Sequence, residues 1–206
     1  MLRKARTRAD EPRRGTPADL LVVGLGNPGE QYAASRHNVG CEVVQLLARR
    51  HGGTLKRSKE LALATEVRVG LKRLALAFPT TYYNESGNAV RLLCHRHGIE
   101  EPGRLVLVHD ELDLPPGTIR LKRGGGLAGN KGLKSVEAHL HHADFLRVRI
   151  GIGKPPGQGA DWVLGRPSKA DRVLLDVAVE RAADAVEKIL DDGIDAAMQL
   201  YNRDPD

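Results

Sequence analysis

The stretch Leu20-Leu21-Val22-Val23-Gly24-Leu25-Gly26-Asn27-Pro28-Gly29 runs from four apolar residues straight into a glycine-rich turn. A short apolar run closed by a turn signal reads as a buried strand. Next comes Ser35-Arg36-His37-Asn38-Val39-Gly40, which sets a histidine between that turn and a segment with Val39, Val43, Val44, Leu46 and Leu47 at helical spacing. Strand, turn and helix in this order open an α/β unit. The turn also spells G-x-G-x-x-G after a strand, the dinucleotide-binding pattern. Two features argue against that reading. Pro28 removes a backbone N–H from the loop that would cradle a pyrophosphate, and residues 30–37 are polar where such a helix would begin its apolar face.

Working outward, the chain keeps alternating strands and helices. Strands are expected near 61–69 and 73–78, joined at Gly70, and a helix over 84–98 with Val90, Leu93 and Cys94 at helical spacing. A strand at 105–109 leads into an acidic loop, Asp110-Glu111-Leu112-Asp113-Leu114-Pro115, and a strand at 118–122 precedes Gly124-Gly125-Gly126. A short helix at 132–142 is followed by Arg147-Val148-Arg149-Ile150-Gly151-Ile152, whose strict alternation predicts a strand with one basic and one apolar face. After a Pro155-Pro156-Gly157 loop, residues 168–191 and 193–202 read as a long and a short helix. The pattern predicts a single-domain three-layer α/β sandwich on a mixed, mostly parallel sheet, over residues 19–203. Residues 1–18 carry six Lys or Arg with two prolines and no periodicity, and read as a disordered basic tail.

With 206 residues, 41% of them hydrophobic, the chain can bury a full core. Only 3% are aromatic, so stacking platforms for single-stranded bases are scarce. No apolar run approaches the roughly 18 residues of a membrane span, and no apolar segment of a secretion signal follows the basic start. Cys41 and Cys94 fall in apolar-periodic segments and read as buried thiols. The histidines at 95, 97, 139, 141 and 142 lack partners at metal-ligand spacing and read as solvated residues near helix ends. Charge is uneven: residues 160–206 hold 6 Lys+Arg against 11 Asp+Glu, a net of −5, so residues 1–159 carry +11 within a total of +6. Eight cations lie between Gly117 and Lys154 with only Glu137 and Asp144 after the acidic loop. The triple glycine among them offers a flexible backbone to a polyanion, so a phosphate-rich partner is expected.

Five motifs in register then carry a resemblance. Gly24 to Gly29 with Tyr32 and Arg36-His37-Asn38, Pro79-Thr80-Thr81-Tyr82-Tyr83-Asn84-Glu85-Ser86-Gly87, His109 to Pro115, Gly132-Leu133-Lys134-Ser135, and Arg149-Ile150-Gly151-Ile152-Gly153 closely resemble bacterial peptidyl-tRNA hydrolase, in order from Leu20 to about Tyr201. The resemblance implies a monomeric cytoplasmic enzyme that cleaves the ester between a stalled peptide and the tRNA 3′ ribose, with no metal and no cofactor. It makes His37 the base and Asp110 its orienting carboxylate, the role an aspartate plays beside histidine in serine hydrolases. Asn27, Tyr32, Tyr83, Asn84 and Lys131 match substrate-contact positions, and Lys122 and Arg149 match positions that grip tRNA phosphate. Two departures stand out: Tyr83 replaces the usual Met, and Ala128-Gly129-Asn130-Lys131-Gly132 replaces Gly-Gly-His-Asn-Gly. Three readings stay open on the sequence: a hydrolase, active or of reduced turnover; a non-catalytic RNA-binding homologue; and a general esterase, against which the basic surface argues.

Overall fold

The computed structural model describes residues 16–155 and 159–203. Seven strands form one sheet in the order β2-β3-β4-β1-β5-β7-β6: β1 (Leu20–Gly24), β2 (Lys56–Arg57), β3 (Ala62–Val69), β4 (Lys72–Pro79), β5 (Leu105–Glu111), β6 (Ile119–Arg123) and β7 (Leu146–Gly151). β4, β1, β5 and β7 run parallel, while β3 and β6 pair antiparallel at the flanks. Helices α1 (Val39–Arg50) and α5 (Lys169–Tyr201) cover one face, and α2 (Ser86–His97) and α3 (Lys131–Leu140) the other. This is the three-layer sandwich the sequence predicts.

The layering follows from the strands' period of two. Leu20 and Val22 of β1 join the core beneath α1 and α5, while Leu21 and Val23 join the core beneath α2 and α3. A strand buried on both faces must be apolar throughout. The central position of β1 therefore explains the run that opens the fold. The glycines of the turn serve close packing. A Cβ on Gly24 would sit 2.1 Å from the Gly40 carbonyl oxygen, and one on Gly40 would sit 2.3 Å from that of Val108. Only glycine at both positions lets the start of α1 settle onto the ends of β1 and β5. That approach carries His37, on a 3-10 turn just before α1, toward the end of β5.

Several expectations change. β5 runs on through Asp110 and Glu111, so the acidic loop begins two residues later than the sequence suggests. Helix α4 (Gly159–Leu164) was not foreseen, whereas the break between the last two helices appears as non-helical backbone at Gly193 within α5. The alternating basic face of β7 is not a solvated surface: Arg147 is only 2% exposed. Its guanidinium donates to the carbonyls of Gly124, Gly125 and Gly126. The triple glycine thus holds a buried cation, with Gly124 and Gly125 at φ of 54° and 76°. His139, read as solvated, lies within hydrogen-bond distance of Ser135 on its own helix and of Asn88 on α2. Most of the expected tail lies outside the described residues. Ala18 is buried in the core beneath α2 and α3.

Candidate active site

Beyond the ends of β1 and β5 lies a cleft of about 610 Å³, lined by His37, Asn27, Tyr83, Asn84, residues 110–113 and residues 128–131, with Val163 and Leu164 of α4 as an apolar wall. Burial of the strand ends makes every polar group here answer to a partner.

Asn27 and Asn38 hold the turn closed. The Asn27 N–H donates to Asn38 Oδ1 at 2.8 Å, and Asn38 Nδ2 donates back to the Asn27 carbonyl at 2.9 Å. Asn27 Oδ1 in turn accepts the Tyr83 N–H at 2.8 Å. With its oxygen taken by a backbone donor, the Asn27 side chain keeps its NH₂ group as a donor in the cleft. Asn38 is thus a site residue to which the sequence alone assigns no role; its place at the end of the histidine turn, after a glycine-rich loop, is the signal for it.

His37 Nδ1 lies 2.9 Å from Asp110 Oδ1. Their side chains are 14% and 4% exposed. Tyr83 stacks on the imidazole with ring centroids 3.6 Å apart and planes 17° from parallel. Its hydroxyl donates to the same Asp110 oxygen at 3.0 Å and receives Asn130 Nδ2–H at 2.8 Å. Burial, reinforced by the Asp110 charge, pushes the Tyr83 phenol well above its ordinary range, so it remains a proton donor. Next door, His109 sends Nδ1 to the Asp110 carbonyl at 2.7 Å, and burial lowers its pKa. His109 is therefore a neutral core residue.

The α4 wall is pinned by the residue next to the histidine. Arg36 lies 3.7 Å over the Trp162 ring, donates to the Arg166 carbonyl at 2.8 Å and pairs with Asp171 at 3.2 Å. Trp162 Nε1 donates to the Gly153 carbonyl at 3.0 Å. The tryptophan was the sequence's unused signal for this wall.

The structure gathers His37, Asp110, Asn27, Tyr83, Asn84 and Lys131 around the cleft, with Asn84 and Lys131 exposed at its rim. Tyr32 sits on a separate 3-10 turn, half-buried, and does not line it. Lys122 and Arg149 lie on the neighbouring strands β6 and β7 and do not line it. Arg149 Nε pairs with Glu111 at 3.1 Å, and Lys122 has no carboxylate within ion-pair distance among the described residues. Burial pushes the Cys41 and Cys94 thiols up to about 12, which keeps them protonated. Among the described residues no cluster of three or more His, Cys, Asp or Glu could hold a metal, and no helix is long and apolar enough to cross a membrane.

A family model described as peptidyl-tRNA hydrolase matches residues 21–206. The chain is 44% identical to the peptidyl-tRNA hydrolase of Syntrophomonas wolfei over 88% of its own length and 99% of the relative's. It is 46% identical to that of Frankia alni over 88% and 93%. Among solved structures, the peptidyl-tRNA hydrolase of Acinetobacter baumannii superposes with a TM-score of 0.85 at 36% identity, covering 91% of this chain and 97% of that one.

Proposed function

The chain belongs to the peptidyl-tRNA hydrolase family and hydrolyses the ester of peptidyl-tRNA; from that premise we propose that His37 is the base that activates the attacking water and that Asp110 orients it. The observation that carries the assignment is the 2.9 Å contact between His37 Nδ1 and Asp110, which leaves Nε2 as the ring's unengaged nitrogen in a residue that lines the cleft. With Nδ1–H held by a carboxylate, Nε2 keeps its lone pair. Nε2 takes a proton from water as the oxygen attacks the ester carbonyl carbon. The resulting imidazolium, stabilised by Asp110, returns that proton to the ribose oxygen as the C–O bond breaks. Products are the peptide acid and a tRNA with a free ribose hydroxyl.

Asn27 supplies an amide N–H to the ester or peptide carbonyl, a contact that strengthens as negative charge develops on oxygen. Asn84 and Lys131 are placed at the rim to meet the rest of the substrate. Tyr32 lies away from the cleft, which favours a role in holding the loop after Gly29. Lys122 and Arg149 grip tRNA phosphate, Arg149 through nitrogens other than the one committed to Glu111, supplying affinity without sequence information. The same reading has residues 19–203 acting as a monomer in the cytoplasm, with the tail of residues 1–18 dispensable for the chemical step.

An N-acetylated aminoacyl-tRNA is the substrate for the test. His37→Ala is expected to lower turnover by about a hundredfold or more while tRNA binding persists. Asp110→Asn should act in the same direction by favouring the wrong tautomer. Near-parental hydrolysis by His37→Ala would sink the assignment.

A further inference from the structure

We infer that Tyr83 and Asn130 form a one-way hydrogen-bond relay that holds the His37–Asp110 pair in its working orientation, which makes Tyr83 a positioning residue and not a substrate contact. The inference rests on the reading of His37 as the base. Its direction is set at the start of α3, where Asn130 is the N-cap and its Oδ1 accepts the Leu133 N–H at 3.0 Å. A backbone N–H can only donate, so the oxygen of the Asn130 amide must face the helix and its nitrogen must face Tyr83. Nδ2 then donates to the phenol oxygen at 2.8 Å. A hydroxyl that receives there is directed to donate onward, and the acceptor it meets is Asp110 Oδ1 at 3.0 Å. Asp110 Oδ1 must therefore act as acceptor toward Tyr83 and His37 alike, which requires Nδ1–H on the ring. Each proton position from Leu133 to His37 follows from a helix cap.

The ring of Tyr83 does a second job. Stacked at 3.6 Å on the imidazole and 95% buried, it fixes the plane in which Nε2 lies, while both faces of its hydroxyl's chemistry are already engaged inside the protein. Little of Tyr83 is left for a substrate. The two departures noted in the sequence, Tyr83 and Asn130, are thus partners of one another across the cleft.

The relay also tunes the base. A phenol donating to Asp110 draws charge from the carboxylate that supports the imidazolium, so removing the hydroxyl makes His37 easier to protonate. The other titratable groups around the cleft are Glu111 and Asp113 at the end of β5 and Lys131 at the start of α3; α4 contributes apolar side chains, and the neighbouring Arg36 is committed to Asp171 and Trp162. The variants below leave all of these in place.

The test compares pH profiles of kcat for N-acetylated aminoacyl-tRNA. Tyr83→Phe keeps the stack and removes the hydroxyl; the acid limb should move to higher pH by about half a unit or more, with KM changing little. Asn130→Ser keeps a good helix cap but is too short to reach the phenol, and should move the limb in the same direction by less. In the double variant the Asn130→Ser change should add nothing to Tyr83→Phe, because the link it breaks is already gone. Ring nitrogen shifts of His37 in 15N-histidine-labelled protein should follow the same displacement without turnover. Unmoved limbs in both single variants, or additive shifts in the double, overturn the relay while leaving the His37 assignment intact. Persistent hydrolysis by His37→Ala would instead remove the reading on which the relay depends.

Discussion

The cleft around His37 and the basic edge made by β6 and β7 share Glu111, which lines the first and pairs with Arg149 in the second, yet they are stabilised in different ways. In the cleft, side chains are oriented by other side chains that backbone N–H groups have already oriented: Asn27 by Tyr83, Asn130 by Leu133. Direction is the quantity being specified there, because a base needs its lone pair in one place. At the edge, the partners are carbonyls and a carboxylate, and what is specified is where positive charge sits. Arg147 and Arg149 lie two residues apart on β7. One is sealed under three glycine carbonyls, and the other is partly exposed and paired with Glu111. Sequence alternation cannot separate two such arginines; what lies across the sheet does.

That contrast can be broken most forcefully at Arg147. If its work is internal, Arg147→Met should lower stability by about 2–3 kcal/mol, since the glycine carbonyls lose their donors. Urea midpoints measure it, and a loss below about 0.5 kcal/mol would mean that the glycine turn stands without its cation. A smaller effect, of another kind, is expected at the outer pair. Replacing Lys122 and Arg149 together with Ala should reduce the log–log salt slope of tRNA binding by about two, one for each phosphate contact. An unchanged slope would return them to ordinary surface charge.

Lys131 sharpens the comparison because it puts an edge-type charge at the rim of the cleft. A nearby ammonium disfavours the imidazolium that His37 must become, and it offers only donors where an amide could also accept. We propose that it tightens tRNA binding at some cost in turnover. Lys131→Asn should then raise kcat by about threefold, roughly 0.7 kcal/mol, while weakening binding at moderate salt. A slower variant would show that Lys131 belongs to the working arrangement.

Much of this molecule is legible along the chain because the physics involved is local. The apolar run of β1, its bounding glycines and the helical spacing after His37 mark a buried strand followed by a helix, and with the alternation of strands and helices downstream that suffices for the sandwich. The five motifs placed His37 and Asp110 in one family pattern. Less visible were helix α4, whose six residues are too short to show a period, and the extent of β5, whose last two residues are acidic because they border the cleft.

Tertiary structure alone decided the partners. That Gly24 and Gly40 press α1 onto two strand ends, that Asn130, the cap of α3, also reaches Tyr83, and that the triple glycine turns its carbonyls onto Arg147 are contacts between segments 16–68 residues apart. The sequence by itself determined the burial pattern and the kinds of chemistry available, because hydrophobic periodicity and residue type are properties of a chain segment. Which atom meets which could be settled only by packing, because a hydrogen bond depends on distance and direction to a group that sequence separation does not specify.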